Sequence, residues 1–130
     1  MLLRFPHITE KQINTLYNTF NASIKEYDYK GTFNAVFPLK VNQLPNFIHP
    51  LINEGKKFNY GLEAGSKAEL VIAMTYNNLG SPITVNGFKD KEMIHLGFIA
   101  KSMGHNITII IEGLNELEII IEVLNETKME

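Results

Sequence analysis

The sequence predicts an α/β fold in which parallel strands alternate with helices, and three observations predict it. Four short apolar runs, Phe33 to Leu39, Phe58 to Leu62, Ile83 to Asn86 and Ile107 to Glu112, begin about 25 residues apart and are rich in β-branched or aromatic residues. Between them lie stretches whose apolar residues recur at steps of three and four, the spacing of one helical face. Capping residues and glycines stand where those helices should begin and end. Strands that alternate with helices pair side by side as a parallel sheet.

The elements follow in order. Ile13, Leu16, Phe20, Ile24 and Tyr27 form an apolar stripe, so a first helix is expected from about Thr9, a plausible N-cap, to Tyr27, with Gly31 ending the segment. The first apolar run is followed by the stripe Leu44, Phe47, Ile48, Leu51 and Ile52. Pro50 should kink or shorten that helix, since proline lacks the N–H that an interior helical position donates. Leu70, Val71, Ala73 and Met74 mark the next helix. Ser66, with Glu69 three residues on, has the spacing of a capping box. Met93, Ile94, Leu96, Gly97, Ile99 and Ala100 mark another helix behind the candidate cap Asp90. Leu117, Ile120, Ile121 and Leu124 mark the last, behind Asn115. Gly55, Gly80 and Gly104 sit at the expected helix ends. Ile107, Ile109, Ile110 and Ile111 form a nearly continuous run, as expected of a strand covered on both faces.

Two architectures accommodate one helix and four strand–helix units. One is a small, self-contained doubly wound sheet. The other is half of a (βα)8 barrel, which typically needs ~250 residues in all. In both, function gathers at the carboxyl ends of the strands.

Composition narrows the classes. The chain has 130 residues, the size of one domain or a piece of one, and its 45% hydrophobic and 20% charged residues are those of an ordinary globular protein. It has no cysteine, which excludes disulfides, Cys-ligated zinc and thiol nucleophiles within this segment. A formal net charge of -2 with no basic stripe gives nucleic-acid binding little electrostatic support. No apolar run reaches the ~18 residues of a membrane span. Met1 to His7 is too short and too broken for a signal peptide, so a cytoplasmic location is expected. His7, His49, His95 and His105 show no metal-ligand spacing, and neither a dinucleotide fingerprint nor a P-loop is present.

Lys40 closes the first run, in Pro38-Leu39-Lys40-Val41-Asn42. A lysine there either reaches to solvent or, if turned into a site, loses hydration and becomes a nucleophilic amine suited to a Schiff base. Glu63 follows the second run beside Ala64 and Gly65, where it is either a solvated loop charge or a counter-charge to a cation such as Lys40. Asn86 ends the third run and could bond a ligand or simply make the turn. Lys89 beside it reads as surface. Glu112 closes the fourth run.

At these strand ends the chain resembles the biosynthetic arginine decarboxylases. Pro38-Leu39-Lys40-Val41-Asn42-Gln43 is similar to that family's Pro-Ile-Lys-Val-Asn-Gln motif. More loosely it is similar to the Ala-x-Lys-x-Asn motif of fold-type-III pyridoxal-phosphate decarboxylases and alanine racemases. Gly61-Leu62-Glu63-Ala64-Gly65-Ser66-Lys67-Ala68-Glu69-Leu70 resembles the family's second signature. Asn86-Gly87-Phe88-Lys89-Asp90 resembles its Asn-Gly-Tyr-Lys-Asp, with Phe for Tyr, and Leu3-Arg4-Phe5-Pro6 resembles its opening Arg-Phe segment. The motifs stand in family order at family spacing over essentially the whole chain.

The resemblance implies the first half of a (βα)8 TIM barrel preceded by one N-terminal helix. Residues 1–31 would be the N-terminal segment and helix, and residues 32–130 the first four βα units of an incomplete domain. It implies a carboxy-lyase that converts L-arginine to agmatine and carbon dioxide in polyamine (putrescine and spermidine) biosynthesis. The cofactor implied is pyridoxal phosphate, with Mg2+ as a further family cofactor. Lys40 would be the catalytic residue that holds pyridoxal phosphate as a Schiff base, and Glu63 the acidic residue beside it. Glu69 and Asn86 would add cofactor contacts. It also implies a homo-oligomer and, after the barrel, a β-sandwich domain. The family's glycine-rich phosphate loop, ring-stacking histidine, acid paired with the ring nitrogen, and partner-subunit cysteine and aspartate map onto none of these residues. The chain alone is therefore expected to bind pyridoxal phosphate weakly and not to decarboxylate. Two other outcomes are a non-catalytic α/β half-barrel module and a relative that binds pyridoxal phosphate without decarboxylating.

Overall fold

In a computed structural model, which describes residues 5–128, one long helix precedes four strand–helix units. Helix α1 spans Pro6–Glu26. Strands β1 (Val36–Pro38), β2 (Gly61–Ala64), β3 (Pro82–Val85) and β4 (Asn106–Ile109) alternate with helices α2 (Pro45–Gly55), α3 (Lys67–Tyr76), α4 (Lys91–Ser102) and α5 (Leu114–Thr127). All three strand pairings are parallel, and the strands lie in sequence order, β1-β2-β3-β4.

That order decides between the two architectures. A doubly wound sheet reverses its strand order and carries helices on both faces. Here the order never reverses, and right-handed crossovers then bring the connecting helices α2, α3 and α4 to one face. The register confirms it. Leu62 and Ile83 are neighbours, as are Ala64 and Val85, and all four are fully buried under the helices. The opposite face carries Pro38, Glu63, Thr84 and Thr108 in one row and Val36, Gly61, Pro82 and Asn106 in the next. Thr84 and Pro82 on that face are half-buried, and Asn106 and Thr108 are exposed. This is the layering of half a (βα)8 barrel, with small and polar side chains facing the barrel interior.

Local details depart from the expectations. Helix α1 begins at Pro6 rather than behind Thr9, because proline's fixed φ and missing N–H suit the first helical position. Its buried residues are Ile13 and Tyr17; Leu16, Phe20 and Tyr27 are exposed. Tyr17 stacks on Phe58 at 4.4 Å and meets Phe33 edge-on at 5.1 Å. Its Oη accepts the Ala35 N–H at 3.1 Å, so α1 docks on the segments that lead into β1 and β2. Pro50 does not shorten α2, which runs on to Gly55. β4 ends at Ile109. Ile110 and Ile111 lie beyond it, exposed, because β4 is an edge strand and nothing covers its outer side in the described chain. Gly113, not Asn115, is the N-cap of α5. Leu117 and Ile121 are exposed, and Val123 is the residue that α5 buries completely.

The start of β2 is fixed by close packing. A Cβ on Gly61 would stand 1.9 Å from the Pro82 carbonyl oxygen, so β2 and β3 reach their spacing only with glycine there. Two of the four expected caps hold: Ser66 Oγ accepts the Glu69 N–H at 3.3 Å, and Asp90 Oδ1 accepts the Met93 N–H at 2.9 Å.

Candidate active site

The carboxyl ends of the four strands open onto one rim. Lys40 lies not in β1 but in the 3-10 turn that follows it, Leu39–Val41. Leu39 is fully buried and anchors the turn, while Lys40 is exposed. Of the two alternatives open to its side chain, reaching to solvent is the one seen among the described residues.

Glu63 is more deeply placed than a loop charge. It is the third residue of β2, paired with Pro38 on one side and Thr84 on the other, and only 9% exposed. Its Oε2 is buried without a hydrogen-bond partner among the described residues. Buried polar atoms are rarely left so, and an orphaned carboxylate oxygen marks a place where a donor is expected. Pro38 is Glu63's neighbour in the sheet, and Lys40 follows Pro38 by two residues in the turn beyond β1.

Gly65 lies beside this carboxylate with room for a Cβ, and Gly87 is packed more closely. A Cβ on Gly65 would lie 3.5 Å from Glu69 Oε2, 3.6 Å from the Asn86 carbonyl oxygen and 3.9 Å from Glu63 Oε1. Gly87, at φ +91°, passes so near that its Cβ would stand 3.1 Å from the Gly65 oxygen. Gly87 holds a left-handed conformation that costs glycine nothing. Asn86 serves this turn, its Oδ1 accepting the Gly87 N–H at 2.9 Å, while its own N–H donates to the Ala64 carbonyl at 2.9 Å.

Two glutamates tie the rim together by the same device. Glu69, third in α3, accepts the Gly65 N–H on Oε2 at 2.7 Å and the Gln43 Nε2 on Oε1 at 3.1 Å. Glu116, third in α5, accepts the Glu112 N–H on Oε2 at 2.8 Å and faces Lys89 Nζ with Oε1 at 3.1 Å. Each thus holds its own loop at four residues' distance and a side chain from the preceding strand–helix loop. Lys89 also donates to the Gly87 carbonyl. The Glu112 N–H, and after it Lys89, hold the Glu116 carboxyl below its usual range against the opposing effect of burial. Exposed Lys67 links the neighbouring helix starts through Asp90 at 2.8 Å, and this contact, followed by the Met93 N–H, holds the Asp90 carboxyl low.

The sequence placed Lys40, Glu63, Glu69 and Asn86 on one rim, and the fold brings all four there. It misplaced Lys89, which is 1% exposed rather than on the surface, and it passed over Glu116 and gave Gln43 no role. Gly113-x-x-Glu116 repeats the spacing of Ser66-x-x-Glu69 and could have pointed to Glu116. Nothing local marks a loop lysine as buried. Leu3 and Arg4 of the opening motif lie outside the described residues.

No protein-family model matches the chain. Curated relatives do. A biosynthetic arginine decarboxylase of Bacteroides thetaiotaomicron is 39% identical over 131 aligned residues, covering 100% of this chain. One of Gloeobacter violaceus is 42% identical over 94% of it, and an arginine decarboxylase of Avena sativa is 41% identical over 94%. Among solved structures, the crystal structure of the biosynthetic arginine decarboxylase SpeA from Campylobacter jejuni superposes with a TM-score of 0.93. It is 65% identical over 95% of this chain. The chain belongs to the biosynthetic arginine decarboxylase family. It spans about a fifth of the length of these relatives: 21% of the Bacteroides and Avena proteins, 19% of the Gloeobacter protein and 21% of the Campylobacter chain. The Pro38–Gln43 and Gly61–Leu70 segments contribute the residues that build the rim around Glu63.

Proposed function

We propose that this chain supplies the lysine side of a pyridoxal-phosphate site in an arginine decarboxylase, a carboxy-lyase that splits L-arginine into agmatine and carbon dioxide for polyamine biosynthesis. The observation that carries this reading is the orphaned, buried Glu63 oxygen, in the strand that pairs with the one leading to Lys40, on a rim built from the motif residues.

The residues present fit the cofactor. Lys40 offers a primary amine at an open strand mouth, the group a covalent Schiff-base anchor requires. Glu63 offers a buried carboxyl oxygen without a hydrogen-bond partner among the described residues, suited to orienting a cationic nitrogen. The Gly65–Gly87 contact keeps Cβ atoms away from the space that the cofactor would approach. Asn86 has its amide oxygen committed to its own turn, so it would contribute to the pocket through the nitrogen. Glu69 has both oxygens engaged, so it would act by shaping the loops around the cofactor. When bound, pyridoxal phosphate supplies an electron-withdrawing ring that accommodates the charge left as the carboxylate departs. A proton then replaces carbon dioxide on the α-carbon of arginine.

The site is shared with residues beyond this rim. Residues 1–31 read best as an N-terminal segment and helix, and 32–130 as four βα units of a barrel whose other strands would pair with the open edges of β1 and β4. Assembly as a homo-oligomer in the cytoplasm accords with the family, and no helix among the described residues is long and apolar enough to cross a membrane. Mg2+ finds no fitting donor set here: among the described residues no group of three or more His, Asp or Glu side chains is placed to hold a metal, and no step is derived through one.

The test is chemical. The purified chain is mixed with pyridoxal phosphate, reduced with borohydride and digested; the added mass is expected on the Lys40 peptide and lost in Lys40→Ala. Label spread evenly over the other lysines would defeat the reading. Labelled carbon dioxide released from arginine by this chain alone, and abolished by Lys40→Ala, would show that it holds a complete site rather than one side of it.

A further inference from the structure

Gln43 has no part in the cofactor reading above, yet its side chain makes the bond that joins the Lys40 loop to the loop beside it. Gln43 stands three residues after Lys40 and donates to Glu69 Oε1 at 3.1 Å. Glu69 is buried at 8% exposure, its other oxygen on the Gly65 N–H at 2.7 Å. Gly65 in turn follows Glu63 by two residues, just past the end of β2. Two hydrogen bonds through Glu69 therefore tie the lysine loop to the backbone just after the strand that carries Glu63. Within the lysine loop, the Asn42 Oδ1 accepts the Leu44 N–H at 3.1 Å, which shapes the turn but ties it to nothing outside.

The rest of the rim shows that this is a built device. Glu116 and Lys89 repeat it two units later, with the same helix position, the same reach back to an N–H four residues earlier, and the same grip on the previous loop. The two differ in one respect. The second uses a buried lysine, a strong and rigid tie; the first uses a neutral amide on an exposed residue. A neutral donor next to the Lys40 loop leaves no second cation to compete with the Lys40 amine for Glu63.

We propose that Gln43 is a positioning residue, holding the Lys40 loop over Glu63 through Glu69. The proposal rests on the assignment of Lys40 as the cofactor's anchor, and its test separates the two. Borohydride trapping of pyridoxal phosphate is quantified at Lys40 relative to Lys56 and Lys57, well below the melting temperature of each variant. Gln43→Ala is expected to lower the Lys40 share about tenfold, the effect of one hydrogen bond to a charged group. Gln43→Glu, which sets two carboxylates face to face, should lower it further. The swap Gln43→Glu with Glu69→Gln should restore it to within about twofold, because the amide introduced at 69 can donate to the carboxylate introduced at 43 while its oxygen still accepts the Gly65 N–H. A loss of stability alone would not redistribute label between lysines.

If Gln43→Ala labels Lys40 like the parent chain, or if the folded swap fails to recover, the positioning role is wrong and the cofactor reading stands. A parent chain with no preference for Lys40 would overturn both.

Discussion

Lys89 Nζ lies 3.1 Å from Glu116 Oε1, with the two side chains 0% and 7% exposed, and this pair joins the loop after β3 to the loop after β4. Removing one partner of such a pair leaves a buried charge alone, which costs more than the pair itself contributes. Lys89→Met is therefore expected to lower the urea midpoint by an amount corresponding to about 3 kcal/mol. Lys89→Met combined with Glu116→Leu should recover part of that loss, and a double-mutant cycle by urea denaturation measures the coupling.

The same contact makes the fold sensitive to acid. The Glu112 N–H first, and Lys89 after it, stabilise the ionised Glu116, so its folded pKa lies below the ordinary value of 4.5. A depressed carboxylate contributes stability that is present above the unfolded value and is lost as pH falls through the folded one. Thermal melts of the parent chain should thus steepen in their pH dependence below about 4.5. Glu116→Gln, which keeps an acceptor for the Glu112 N–H but carries no charge, should show a shallower slope there. Equal slopes for the two chains would assign the acid limb to other carboxylates, with Asp90 the first to examine.

Gly61 is expected to tolerate no side chain. Even alanine would put its Cβ 1.9 Å from the Pro82 carbonyl oxygen and 2.8 Å from the carbonyl carbon, and backbone cannot yield as a side-chain tip can. Gly61→Ala should cost about 3 kcal/mol or more, as overpacking does at its upper end. Circular dichroism during urea titration measures it; a loss under about 1 kcal/mol would mean that β2 and β3 can part without consequence.

Ser66 tests the cap in isolation from the rim. Ser66→Ala should cost about 1 kcal/mol and Ser66→Gly only a few tenths, since glycine leaves the first-turn N–H groups open to water. An alanine variant as stable as the glycine one would show that the 3.3 Å bond to the Glu69 N–H contributes little.

The sequence by itself determined the elements, their order and the residues at the strand mouths. Those follow from signals within a few residues: a three-and-four stripe, a β-branched run, Ser66 before Glu69, Asp90 before Met93. The tails of those signals misled where local rules compete. Pro6 outranked Thr9 as a helix start because a proline's φ is already helical, and Val123 displaced Leu117 and Ile121 because the neighbouring helix, not the stripe, decides which side of α5 is covered. Only the tertiary structure decided that the connecting helices lie on one face, making a barrel half of what could have been an open sheet. It also decided that Lys89 is buried, that Glu63 lies within its strand, and that Glu69 joins two loops. Each of these depends on partners 25 or so residues away, brought near by strand pairing, and burial belongs to such neighbours rather than to the residue. Lys40 shows both sides: its place after the first strand was legible in the chain, while its seat in a 3-10 turn beyond Pro38, the residue that pairs with Glu63, came only with the fold.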